Sequence, residues 1–125
     1  MSRIYPFAAL ALLLFAGGTD EASAADEHVT TIVVIKTPSG LTREKVEAGI
    51  HASVPTYQKI PGLIRKWYTV NGESFGGMYL WKNRAAAEAW FTPAYATQCK
   101  QRYGTECQVT YYDTPLQIDG LGASR

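Results

Sequence analysis

The side chains able to do chemistry in this sequence are few and mostly aromatic. Trp67, Tyr79 and Trp81 fall in β-rich runs, Trp90 and Tyr95 follow an Ala-rich stretch, and Tyr111 and Tyr112 lie in the last apolar segment. Beside them stand Arg65 and two histidines, His28 and His51. Indole N–H and phenol O–H groups donate hydrogen bonds to a developing oxyanion, a guanidinium pairs with an anion, and an imidazole takes a proton. One reading makes Trp67 and Tyr79 donors, Arg65 an anion partner and His51 a base, with Trp81, Trp90 and Tyr111 shaping a pocket for a flat ring. The other makes the aromatic residues core and subunit interface, His51 a solvated helix residue and Arg65 a surface ion. Both stay open at this point.

Other chemistries are excluded more directly. The sequence holds no G-x-S-x-G, no phosphate-binding loop and no dinucleotide fingerprint. Gly76-Gly77 sits inside a predicted strand, where Gly77 marks a bulge or a close approach by a helix or ligand. Two separated histidines without a cysteine or carboxylate cluster argue against a metal site. The formal net charge is +1 and the basic residues form no run beyond pairs such as Arg65-Lys66, so nucleic acid is not an expected partner.

The elements that must position these residues centre on Pro61 to Phe91. Asn71-Gly72 accepts positive φ between two β-rich runs, which predicts a hairpin of strands 63–70 and 75–81. Strict alternation puts Leu63, Arg65, Trp67 and Thr69 on one face, and Ile64, Lys66, Tyr68 and Val70 on the other. In the second strand Phe75, Gly77, Tyr79 and Trp81 share a face. Upstream, the Val/Ile/Thr run 29–36 reads as a central strand. Thr42 caps a helix carrying Val46, Ile50, Val54 and Tyr57, which Pro55 should bend or interrupt. Downstream, Asn83 caps a helix with Ala86, Ala89, Trp90 and Pro93 on one side. Thr92-Pro93 opens a further helical segment to Tyr103, stopped by Gly104, and 108–113 forms the last strand.

The N-terminus reads as a secretory leader: Arg3, an apolar run over 7–16, and Ala22-Ser23-Ala24 as cleavage signal. The apolar run is about half of the ~20 residues that a membrane span needs. The expected organisation is a signal peptide over 1–24, one domain over 25–119 and a disordered tail over 120–125. A periplasmic or secreted protein with no membrane partner after cleavage follows. In an oxidising compartment Cys99 and Cys107 are expected to form a structural disulfide across the Gly104 turn. The alternatives are two buried thiols or a redox pair, although the spacing is not C-x-x-C.

The order β-α-β-β-α-β is the ferredoxin-like split βαβ arrangement, an α+β fold with a four-stranded antiparallel sheet and helices on one face. The other face is left bare and apolar, so a homodimer packed sheet to sheet is expected.

Pro61-Gly62-Leu63-Ile64-Arg65-Lys66, Gly76-Gly77-Met78-Tyr79-Leu80-Trp81 and Asn83-Arg84-Ala85-Ala86-Ala87-Glu88-Ala89-Trp90 resemble the YdhR-type mono-oxygenase family of the dimeric α+β barrel superfamily. The similarity covers about residues 29 to 119. It implies a dimer with a pocket between helices and sheet in each subunit. It also implies a cofactor-independent mono-oxygenase-like enzyme, an oxidoreductase with no bound cofactor, acting on an aromatic small molecule. A non-catalytic periplasmic binder of an aromatic or hydrophobic ligand is the alternative. The leader and the cysteine pair depart from the family pattern. The Asn-Trp-His set of haem-degrading relatives has no match here, because Asn71 falls in the turn and His51 on the first helix.

Overall fold

In the computed structural model, which describes residues 27–123, seven elements follow one another. They are β1 (His28–Lys36), α1 (Arg43–Gln58), β2 (Leu63–Val70), β3 (Ser74–Trp81), α2 (Arg84–Trp90), α3 (Pro93–Tyr103) and β4 (Cys107–Thr114). The expected leader lies outside the described residues, as do the last two residues of the expected tail. The strands form one antiparallel sheet in the order β2-β3-β1-β4. This is the ferredoxin-like α+β arrangement expected from the element order.

Local chemistry sets the boundaries. The side chains of Thr42, Asn83 and Thr92 accept hydrogen bonds from the backbone N–H of Lys45, Ala86 and Tyr95, capping the three helices. Gly104, at φ 73°, supplies the left-handed residue that ends α3. Asn71 Oδ1 accepts from the N–H of Glu73 and Ser74 and closes the hairpin. Contrary to expectation, Pro55 does not interrupt α1, which runs on to Gln58. Pro55 falls in the last turn, and the carbonyl it leaves free belongs to His51 on the exposed side.

β1 is central, and its alternation decides the layers. Val29, Thr31, Val33 and Ile35 are buried on the helix side, where Val33 and Ile35 join Tyr79, Trp81 and Ala87 in the core. On α2 the buried positions are Ala87 and, in part, Ala86 and Trp90, while Ala89, expected on the inner side, is exposed. Trp81 has 0% exposure and its Nε1 donates to Thr31 Oγ1 at 2.9 Å, so this buried donor is satisfied within the core. Gly76 lets β3 approach β1, since a Cβ there would stand 1.9 Å from the Val33 carbonyl oxygen.

One irregularity re-aims β2. The register against β3 shifts between Leu63 and Arg65, so a bulge falls in β2 and not at Gly77. Leu63 therefore shares the helix side with Lys66, Tyr68 and Val70, whereas Trp67 pairs with Met78 on the helix-free side. That face presents Val34, Trp67, Met78 and Tyr112 to the outside.

Candidate functional site

Between the helices and the sheet lies a cavity of about 310 Å³, walled by β1, β2 and β3 below and by α1 and α3 above. Its floor is apolar, with Val33, Ile35 and Phe75 from the strands. Its walls are phenols: Tyr57 from α1, Tyr68 and Tyr79 from β2 and β3, and Tyr95 and Tyr103 from α3. Tyr57 meets Tyr68 edge to face at 6.0 Å and Tyr79 at 5.9 Å, which fixes the rings against one another. The Ser53 and Tyr68 hydroxyls are hydrogen-bonded at 3.0 Å.

Among these rings sits the amine of Lys66. Lys66 Nζ stands 3.2 Å from the ring centroid of Tyr57, 4.2 Å from Tyr68 and 4.4 Å from Tyr79. Gly77 makes the space: a Cβ at that position would lie 3.0 Å from Lys66 Cε and 2.8 Å from the Trp67 carbonyl oxygen. The close approach expected at Gly77 is thus made by the neighbouring strand and its lysine. Burial draws the Lys66 pKa down from 10.5 to about 7. The three ring faces act in the opposite sense, giving an ammonium a resting place worth about 0.5–2 kcal/mol per contact. Lys66 is therefore a group that can take up a proton inside the cavity and hold the resulting charge.

Three of the phenols, Tyr57, Tyr79 and Tyr95, are held in the protonated form. Burial pushes the pKa values of Tyr79 and Tyr95 well up, and neighbouring tyrosines add to the shift. For Tyr57 burial also raises the pKa, against a hydrogen bond from Tyr79 that pulls it back. Their hydroxyls are donors, not bases.

Of the residues the sequence singled out as catalytic, the structure brings only Tyr79 to this cavity. Trp67 is on the opposite face of the sheet, 46% exposed, with Arg65 exposed near it at 6.0 Å. His51 is on the exposed side of α1 and does not line the cavity. Among the expected substrate-binding residues, Trp81 is in the core with its N–H engaged by Thr31. Tyr111 packs on Phe91 at 6.4 Å with Arg84 over its ring at 4.5 Å. Trp90 packs against Tyr57 at 5.6 Å, behind the cavity wall, and its Nε1 is buried with no hydrogen-bond partner. Cys99 and Cys107 form a disulfide with a Cα–Cα distance of 5.8 Å. Cys99 lines the cavity, so the bridge fastens α3, with its Tyr95 and Tyr103, to the edge strand β4.

Lys66 is the functional candidate that sequence reasoning missed. The signal was a lysine placed by alternation on the face opposite Trp67, in a strand whose neighbour offers a glycine. No group of His, Cys, Asp or Glu suited to a metal ion occurs among the described residues. Among the same residues no helix is long and apolar enough to cross a membrane.

No family model and no curated protein matches the chain. Solved structures do match in fold. A protein of unknown function from Nitrosomonas europaea superposes with a TM-score of 0.61 at 11% identity, covering 78% of this chain and 99% of that one. A heme-degrading protein from Mycobacterium tuberculosis gives 0.51 at 21% identity, covering 75% and 98%. SnoaB, a cofactor-independent oxygenase from Streptomyces nogalater, gives 0.52 at 12% identity, covering 77% and 98%. The chain has the fold of the antibiotic-biosynthesis-mono-oxygenase-like proteins.

Proposed function

We propose that this protein is an exported, homodimeric, mono-oxygenase-like enzyme of the YdhR type that oxidises an aromatic small molecule without a bound cofactor. The leader over 1–24 directs export, and residues 25–119 make the working domain. The observation that carries the reading is the Lys66 amine inside a phenol-walled cavity of about 310 Å³, a volume suited to a small aromatic substrate. A second support is the fold, which an oxygenase of the cofactor-independent kind shares.

The chemistry balances without an external reductant. Lys66 takes a proton from an acidic C–H held between aromatic rings, as at the CH₂ of an anthrone; its ammonium pairs with the carbanion that forms and returns the proton to the peroxide. The carbanion reduces O₂, a C–O bond forms, and the resulting hydroperoxide loses water to leave a carbonyl. Both electron pairs come from the substrate, one oxygen atom enters the product and the other departs as water. Tyr57, kept protonated by burial and accepting from the Tyr79 hydroxyl, donates its own O–H to the developing oxyanion, and Tyr79 holds it in place.

Oxygen uptake by the mature protein across a panel of anthrones and hydroquinones tests this. Removing a general base costs about 10²- to 10⁴-fold in rate, so Lys66→Met should lose most of the uptake and Tyr79→Phe a smaller part. Tight binding of the same compounds without uptake supports the non-catalytic binder instead.

A further inference from the structure

Three basic side chains line the cavity and no carboxylate does. Lys66 is the inner one, while Lys45 from α1 and Arg102 from α3 are exposed at the margin. Among the described residues the ion pairs are Arg43–Glu47 and Arg84–Glu88, so none of the three cations is neutralised by a partner. Burial raises the pKa values of Tyr57 and Tyr95, on two different walls, and the charge of Arg102 at the margin opposes that rise slightly. A ringed apolar chamber with unpaired positive charge at its margin is complementary to a flat apolar body bearing a negative group at one end. The planar guanidinium of Arg102 matches a carboxylate through two parallel N–H···O bonds, and Lys45 adds a point charge.

We propose that the ligand of this cavity is an aromatic carboxylate, with its ring among Tyr57, Tyr79 and Tyr95 and its carboxylate held by Arg102 and Lys45. The assignment rests on the small-molecule reading of the cavity and names the substrate class, but it needs no oxygen chemistry. With the carboxylate at the margin, the far end of the ring points inward to Lys66. The same geometry disfavours neutral hydrocarbons, which leave both margin cations without a partner, and cationic aromatics, which they repel.

The test uses 2-naphthoate and its neutral isostere methyl 2-naphthyl ketone, titrated into the mature, disulfide-intact protein and followed by calorimetry. The carboxylate should bind about tenfold more tightly than the ketone, and added salt should erode that advantage. An Arg102→Gln/Lys45→Gln double variant should abolish the advantage, weakening the carboxylate by more than it weakens the ketone. A Lys36→Gln/Lys100→Gln control, on exposed cations outside the cavity, should keep it. Equal affinities in the wild type, an advantage that survives the double variant, or binding of neither probe would overturn the proposal. Oxygen uptake without carboxylate preference would sink this assignment alone, and preference without uptake would sink only the oxygenase.

Discussion

Lys66 is held between two opposing influences, and its titration is the most direct handle on the site. Burial lowers the folded-state pKa to about 7 while the unfolded chain titrates near 10.5. Between these values the unfolded state binds more protons, so this residue makes stability rise with pH from about 7 to about 10. Below that window both states carry the charge and the cost of burying it is present in full. In Lys66→Met the same stretch of a pH–stability curve should be flatter, and a slope equal to that of the wild type would contradict the burial of the amine. If Lys66 is the base, oxygen uptake should increase with pH around 7 as the neutral amine appears. Thr31 gives an independent structural test. Thr31→Val leaves the Trp81 N–H buried without its acceptor, at a cost of about 1–3 kcal/mol in denaturant unfolding. At this scale the sequence put Tyr79 on one face with Phe75, Gly77 and Trp81, and the structure places that face toward the cavity. The sequence groups Trp67 with Tyr79 because alternation within each strand does not say which face of β2 pairs with which face of β3, and the register sets Trp67 opposite Met78.

At the scale of elements, the caps at Thr42, Asn83 and Thr92 and the stops at Gly72 and Gly104 were legible because each is a local event between a side chain and a nearby backbone group. Gly77 and the disulfide are not local in effect. A methyl at Gly77 collides with Lys66 Cε and the Trp67 carbonyl, so Gly77→Ala should displace the lysine from its rings and return its pKa toward 10.5. Labelling of Lys66 by an amine-reactive reagent across pH reads this directly. Reducing the Cys99–Cys107 bridge releases a short loop, which in the chain-entropy account costs about 2–3 kcal/mol. A lower melting temperature under thiol reductant is expected, together with weaker ligand binding, because α3 carries Tyr95 and Arg102 into the cavity. A Cys99→Ser/Cys107→Ser variant should reproduce both effects and show no further response to reductant.

For the whole molecule, the helix-free face is the feature that a single chain leaves open. Val34, Trp67, Met78 and Tyr112 lie on it within a few strands of one another, and each is more than a third exposed. A patch of this kind is characteristic of an interface between copies. Light scattering of the mature protein at micromolar concentration should report a dimer, and Trp67→Glu should shift it to monomer without disturbing the cavity on the far side of the sheet. A monomeric wild type would remove the dimer from the proposed function. By itself the sequence determined the element order, the caps, the hairpin and the α+β class, because these follow from periodicity and from contacts within a few residues. Only the tertiary structure decided which side chains share a cavity. That depends on the pairing of β2 with β3, which sets Lys66 beside Tyr79 and Trp67 beside Met78, on an extra residue in β2 that brings Leu63 to the helix side, and on a glycine one strand away that lets the lysine lie among the rings.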